Sequence, residues 1–156
     1  LPNYWMQLSD EQKQIIAGKI CPYCKRPSGY VDSSIVFGKS FGMIYFCGPC
    51  WAWCGVHSGT DIALGRIANA ELRYLKQQAH EHFDRIWKDK KMKRKNAYKW
   101  LAAELNLPPE YTHIGMFNPE TCKRVIHLSK EFYNDKKNRI ARCGRLQGIW
   151  LGRNES

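Results

Sequence analysis

Acidic residues are scarce in this sequence, and long apolar runs are missing. The 156 residues contain 14 Asp and Glu against 25 Lys and Arg, which leaves a formal net charge of +11 at pH 7. Such an excess of positive charge favours polyanionic partners, with nucleic acid first among them. No stretch approaches the roughly 18–20 apolar residues of a membrane-spanning helix. We therefore expect no membrane partner.

A secretion signal is missing as well. The opening residues, LPNYWMQLSDEQ, have neither a basic start nor an apolar run. We therefore expect a reducing, cytoplasmic setting, where paired cysteines bind metal more often than they form disulfides. The 44% hydrophobic content, together with 6 Trp, 8 Tyr and 6 Phe, excludes a mainly disordered chain.

Four of the seven cysteines form two C-x-x-C pairs. Cys21 and Cys24 are separated from Cys47 and Cys50 by residues 25–46. Each C-x-x-C turn places two thiolates on one side of an ion, and two turns complete the tetrahedral shell that Zn²⁺ prefers. The spacing predicts one structural zinc ion with these four ligands. A shell closed by four thiolates leaves no position for a catalytic water.

Other readings of the cysteines remain open. Cys-Pro-Tyr-Cys alone is typical of a glutaredoxin site and Cys-Gly-Pro-Cys of a thioredoxin site, but both need a βαβ context. Here Cys50 leads into a strand-like segment. Cys54 and His57 are alternative ligands, although a core thiol and a surface imidazole are favoured. We expect Cys122 and Cys143 to be a small core residue and a free thiol.

The chain pattern changes from helix to strand and back to helix. Ser9 and Gln12 form a capping-box pattern, which predicts a short helix that stops at Gly18. Residues 19–60 are rich in Gly, β-branched and aromatic residues, which predicts three or four short antiparallel strands. The candidate strands are 29–31, 34–37, 43–46 and 51–56.

Apolar residues then recur at helical spacing in three segments, which predicts three amphipathic helices. These segments are about 67–86, 97–105 and 119–133. Asn118 and Pro119 form a favourable start for the third helix, as N-cap and first helical residue. The predicted fold class is α+β, with a small four-cysteine zinc ribbon packed against about three helices.

We divide the chain into four parts on this basis. An N-terminal helix occupies 1–18, the zinc ribbon 19–60, and a helical region packed on the ribbon 61–135. A basic C-terminal tail occupies 136–156, and we expect it to be an extended arm.

Two basic regions are candidates for nucleic-acid contact. One is 88–99, which runs from the first amphipathic helix into the second; Tyr98 and Trp100 interleave with its cations, a combination that fits phosphate binding with base stacking. The other is the tail. The alternative is a lysine-rich loop whose aliphatic stems cover apolar surface. The candidate residues are Lys88, Lys90, Lys91, Lys93, Arg94, Lys95, Lys99, Lys137, Arg139, Arg142 and Arg145.

A polar stripe follows one flank of the first long helix. Arg66, Arg73, Gln77, His80 and Asp84 fall on this flank at 100° per residue. Together with the 55–60 loop, whose small polar residues suit anion contact, the stripe is a candidate phosphate or nucleotide site. The alternative is the polar edge of a buried face. The catalytic candidates are His57, Arg73, His80, Asp84 and His113.

Several short motifs resemble the zinc-finger-containing domain family of bacterial and phage proteins. The matching segments fall within roughly 19–127: both C-x-x-C turns and residues 55–60, 64–65, 70–73, 79–80, 83–84, 86–87, 97–102 and 113–117. The resemblance implies zinc ligation by the four cysteines and a helical partner region, and it implies no biochemical activity, because the family has none assigned. The chain departs from the family pattern at Trp51, Ala63 and Thr112, where an acidic residue, a proline and a cysteine are expected. The last departure argues against a second metal site near His113.

These observations favour a zinc-ribbon accessory protein of a bacterium or phage that binds DNA or RNA through phosphate contacts. One alternative is a protein-interaction module that docks on a larger phage or host assembly. Another is an enzyme acting on phosphodiesters or nucleotides through the His/Asp/Arg stripe. No nucleophile elbow, Walker loop or dinucleotide fingerprint is present, so we favour a non-enzymatic protein and leave catalysis open.

Overall fold

A three-stranded sheet lies between short N-terminal helices and a set of longer helices. The structure, a computed structural model, describes residues 4–147, with side chains to residue 135. The arrangement confirms the α+β class and the small zinc ribbon. In chain order the elements are α1 (Tyr4–Gln7), α2 (Asp10–Ile16), β1 (Gly29–Asp32), α3 (Ser34–Phe37), β2 (Met43–Cys47), β3 (Ala52–Gly55), α4 (Ala70–Lys88), α5 (Arg94–Leu105), two 3-10 helices (Pro109–Tyr111 and Ile114–Met116) and α6 (Pro119–Gln147).

The sheet is antiparallel, in the order β1-β2-β3. Tyr45 in the central strand pairs with Tyr30 on one side and Cys54 on the other. The predicted strand at 34–37 is wrong, because this segment forms the short helix α3. The local chemistry explains the difference: the Asp32 carboxylate accepts a hydrogen bond from the Ser34 N–H at 2.8 Å, and Gly38 ends the turn with φ 78°. These contacts override the β-branched pair that favoured a strand.

The main hydrophobic core is made by α4, α5 and α6. Phe83, Ile86, Leu101 and Val125 are fully buried in it. The helical spacing of the sequence therefore identified the core-facing positions correctly. The predicted cap of the third helix is also confirmed, since the Thr121 N–H donates to Asn118 Oδ1 at 2.8 Å.

The last helix is longer than expected. α6 continues to Gln147, so the extended arm expected from 136 onward is helical as far as 147. Lys, Arg and Ala in this segment favour a helix, and no proline interrupts it. Residues 148–156 lie outside the described part.

The ribbon and the helices are joined at the start of α4. Trp53 and Ala68 exchange both backbone hydrogen bonds, at 3.1 and 3.0 Å. A second, smaller core forms beside this bridge from Tyr45, Ala52, Cys54 and Ile67. The sheet thus packs one face toward the helical body. None of the helices within 4–147 is long and apolar enough to cross a membrane.

Candidate metal centre and surrounding surfaces

Both C-x-x-C segments are tight turns that share a backbone feature. The residue after the second cysteine has a positive φ in each, 64° at Lys25 and 48° at Trp51. Left-handed backbone is unfavourable for residues other than glycine. Each turn is closed by a backbone hydrogen bond, from Lys25 N–H to the Cys21 carbonyl at 2.9 Å and from Trp51 N–H to the Gly48 carbonyl at 3.1 Å. In both turns the backbone therefore reverses direction directly after the second cysteine.

The two turns bring four sulfur atoms together. The Sγ atoms of Cys21, Cys24, Cys47 and Cys50 all lie within 4.8 Å of one another. Those of Cys24 and Cys47 are 3.6 Å apart. A tetrahedral shell with Zn–S bonds of about 2.3 Å needs sulfurs about 3.8 Å apart. The donor set and its spacing fit one structural zinc ion.

The protonation of the thiols points the same way. A hydrogen bond from the Arg26 N–H lowers the pKa of Cys24 to about 7. Desolvation raises the pKa of Cys50 to about 12 and also raises that of Cys47. Without a cation the cluster therefore cannot ionise all its thiols at neutral pH. A bound dication deprotonates coordinating thiols outright, so zinc binding would release the protons that desolvation keeps on Cys47 and Cys50.

The alternative ligands lie apart from this cluster. The Cys54 thiol donates to the Gly65 carbonyl at 3.1 Å within the small core, and His57 is exposed on its loop. Cys122 is buried in the helical core, where desolvation raises its pKa to about 11. The side chain of Cys143 lies outside the described residues. Because both C-x-x-C turns share one cluster beside a small sheet, neither has the βαβ context of a redox site.

The polar stripe does not form one pocket with the two other histidines. His57 and His113 line a cavity of about 610 Å³, whereas Arg73, His80 and Asp84 are not among its lining residues. His80 Nδ1 lies 3.4 Å from an Asp84 carboxylate oxygen, and Asp84 also accepts from Trp87 Nε1 at 3.2 Å.

The two arginines of the stripe have structural contacts. Arg66 donates from Nε to the Met116 carbonyl at 3.1 Å. Arg73 donates to the Ala68 carbonyl at 2.7 Å, and its guanidinium lies 3.6 Å from the centre of the Trp53 ring. These contacts hold both side chains against the backbone and an aromatic ring, an arrangement that the alternative interpretation, the polar edge of a buried face, also predicts.

The first basic region forms an exposed bend between α4 and α5. All seven of its cations, Lys88 to Lys99, are exposed. Its aromatic residues are not free: Tyr98 packs against Phe83 with ring centres 4.9 Å apart, and Trp100 packs against Phe132 at 5.5 Å. Trp100 therefore packs in the helical core, as its place on the apolar face predicts, and Tyr98 also packs against a core ring. The side chains of Lys137, Arg139, Arg142 and Arg145 lie outside the described part.

Sequence reasoning missed a second surface, an aromatic cleft on the ribbon. Phe37, Phe41 and Trp53 line it, together with the 55–60 loop. The signal available in the sequence was the repeat of Phe-Gly at 37–38 and 41–42. The cleft could not be predicted because residues 34–37 favour a strand within the sheet, whereas the segment forms a helix beside the sheet.

The fold and the cysteine cluster define a zinc-binding module in which a small ribbon is joined to a helical body. The model of the zinc-finger-containing domain family matches residues 17–132, and the chain belongs to that family. Comparison with curated proteins and with solved structures found no significant match.

Proposed function

We propose that this protein binds nucleic acid, with the zinc ribbon as its ordered scaffold and the bend between α4 and α5 as its main phosphate contact. The observation that carries the proposal is the uncompensated charge of this bend. Residues 88–99 hold seven cations and one acid, Asp89. Within the described side chains, none of the seven lies in an ion pair with a carboxylate.

The single acid of the bend already has partners. An Asp89 carboxylate oxygen accepts from the Tyr133 hydroxyl at 2.8 Å and lies 3.7 Å from Arg85 Nε. Its charge is therefore directed at α4 and α6 and not at the lysines that follow it. A group of exposed cations that runs from the end of α4 into the start of α5 is well suited to the closely spaced phosphates of a nucleic acid.

The second basic region continues this surface in the proposal. Tyr133 of α6 contacts the bend through Asp89, and the basic residues of the tail follow Tyr133 along the same helix. Their charge and place on α6 are the grounds for including Lys137, Arg139, Arg142 and Arg145.

Salt dependence tests the proposal. We expect a fluorescein-labelled oligonucleotide to bind at low salt and to dissociate steeply as salt rises. The variant Lys91→Gln/Lys95→Gln removes two exposed charges that make no described side-chain contact. It should weaken binding and reduce the slope of log K against log salt by about 2, roughly one for each phosphate that is no longer neutralised.

A matched control is available on α6. Lys123→Gln/Arg124→Gln also removes two exposed cations, so it lowers the net charge by the same amount near the start of α6, away from Tyr133. It should leave affinity close to that of the unsubstituted protein. Equal weakening in both variants would mean that net charge alone acts. An unsubstituted protein that binds neither DNA nor RNA at low salt would overturn the proposal.

A further inference from the structure

The ribbon sheet leaves one face outside the core that it shares with the helices. Side chains alternate along a strand, so Tyr45 and its partner Cys54 share one face, which belongs to the small core. Phe46 and its partner Trp53 share the other. The segment that follows β1 folds beside this second face as α3 and a short turn.

Three aromatic rings form a connected wall there. The ring centres of Phe37 and Phe41 are 5.6 Å apart, and those of Phe37 and Trp53 are 5.9 Å apart, both in edge-to-face geometry. Despite these contacts, Phe37 keeps 50% and Phe41 keeps 68% of its surface exposed. Exposed aromatic surface of this kind, gathered in one place, is characteristic of a binding site.

The rings line a cleft of about 980 Å³. This volume is at the upper end of the roughly 300–1,000 Å³ range of small-ligand pockets. The 55–60 loop forms the opposite wall, and it is held in a fixed turn because Thr60 donates from its N–H and its hydroxyl to the His57 carbonyl, at 3.0 and 2.8 Å. A wall that is already ordered loses little entropy when a ligand binds.

Cations flank the aromatic wall. Lys39 Nζ lies 5.1 Å from the centre of the Phe41 ring, and the Arg73 guanidinium covers the Trp53 ring at 3.6 Å. Both cations lie beside the cleft and not in its lining, where Asp61 is the one charged residue among those described. An apolar peptide would need no such cations, whereas a nucleotide presents a flat base beside a phosphate. The exposed rings of Phe37 and Phe41, with positive charge beside them, therefore favour unpaired nucleotides.

We propose that the cleft formed by Phe37, Phe41 and Trp53 is a stacking site for the bases of single-stranded nucleic acid. The proposal rests on the nucleic-acid function proposed above, and it names single strands as the substrate class. The basic bend neutralises phosphates of any nucleic acid, and the cleft selects strands whose bases are free to stack. In a duplex the base faces are already covered by their neighbours, so the cleft adds nothing to duplex binding.

The experiment compares two labelled single strands of the same length. One is an oligothymidylate of about 15 nucleotides, within the site sizes of single-strand binders, and the other is an abasic phosphodiester of equal length. Both carry the same charge, but only the first has bases. The unsubstituted protein should bind the oligothymidylate more tightly.

Phe41→Ala should lose roughly 5- to 150-fold in affinity for the oligothymidylate, the range found for removing one stacking ring. Its affinity for the abasic strand and its salt slope should not change. Phe41→Tyr keeps an aromatic ring and should retain the preference. Tyr74→Ala is the matched control, because Tyr74 is 61% exposed on α4 and does not line the cleft. Zinc content and circular dichroism establish that each variant is folded.

The outcomes separate this inference from the proposed function. Equal binding of both strands by the unsubstituted protein, with the Lys91→Gln/Lys95→Gln effect intact, would overturn the stacking site and leave phosphate binding standing. No binding of either strand at low salt would overturn both. If Phe41→Ala weakens both strands equally, or leaves the affinity for the oligothymidylate unchanged, the stacking site is overturned.

Discussion

At the residue scale, the surroundings of each cysteine decide its role. Cys21 and Cys47 are buried within a cluster of sulfur atoms, where they act as metal ligands. Cys54 is equally buried, but its thiol donates to the carbonyls of Gly55 and Gly65. The C-x-x-C spacing favours these roles in the sequence, because two such turns readily place four sulfurs around one ion.

Replacement of a ligand should release the metal. Cys47→Ser should reduce zinc from about one ion per chain to well below one, because a hydroxyl is a poor substitute for a thiolate at this soft site. Elemental analysis of purified protein measures the ratio. Cys54→Ser is the control, since serine can still donate to the Gly65 carbonyl, and it should keep its zinc. A folded Cys47→Ser protein that is as rich in zinc as the control would contradict the four-ligand site.

At the element scale, local contacts settle where helices and strands begin and end. The Ser9 and Gln12 capping box is present in both directions, at 2.7 and 3.1 Å, so this helix start was fully readable from sequence. By contrast, α3 depends on the hydrogen bond that Asp32 accepts and on the positive φ of Gly38. The β-branched residues between them favour a strand and so gave the wrong prediction. Capping residues are therefore better predictors here than intrinsic propensity.

The approach of two backbone segments gives an element-scale prediction. A Cβ at Gly65 would overlap the carbonyl of Gly115 in the second 3-10 helix. Gly65→Ala should therefore lower the free energy of unfolding by about 1–3 kcal/mol or more, the usual cost of overpacking. Urea unfolding measures the change.

Gly29→Ala is the control for this prediction. A Cβ there would meet only ordinary contacts, at 3.6 Å from a Val31 methyl and 3.8 Å from the Phe46 carbonyl oxygen. Its stability should stay near that of the unsubstituted protein. Equal stability of the two variants would mean that the Gly65 segment can move away from Gly115.

At the scale of the whole molecule, two cores and two proposed contact surfaces are arranged along α4. The ribbon core around Tyr45 and Ile67 is separate from the larger helical core around Phe83 and Leu101. The aromatic cleft lies near the start of α4 and the basic bend follows its end. The 19 residues of this helix span about 28 Å at 1.5 Å each, so the two proposed surfaces are far enough apart to contact different nucleotides of one strand.

The separation of the cores predicts how the protein responds to metal removal. A zinc chelator should unfold the ribbon, because the binding energy of a structural zinc is part of the folding energy of its module. The helical core should persist, since its buried residues come almost entirely from the helices. We expect tryptophan fluorescence from the ribbon to change while helical circular dichroism is largely retained. Simultaneous loss of both signals would mean that the two cores form one cooperative unit.

The sequence by itself determined the zinc ligands, the α+β class and the core faces of the helices. Each of these depends on short-range regularity: the spacing within C-x-x-C turns, the helical recurrence of residues such as Leu72, Ala79 and Phe83, and the capping box at Ser9. Such short-range patterns predict local structure independently of where the segment lies in the fold. The resemblance to the zinc-finger-containing domain, which the family match over 17–132 confirms, depends on the same short motifs.

Only the tertiary structure decided which distant residues share a surface. Helical angles and loop composition predict a composite of His57, Arg73, His80, Asp84 and His113, but the cavity that His57 and His113 line is not lined by the other three residues. The aromatic cleft could not be predicted from the sequence, because Phe37 and Trp53 come into contact only when α3 folds beside the sheet. A helical period fixes direction around one axis, whereas contact between segments depends on how their axes and loops pack together.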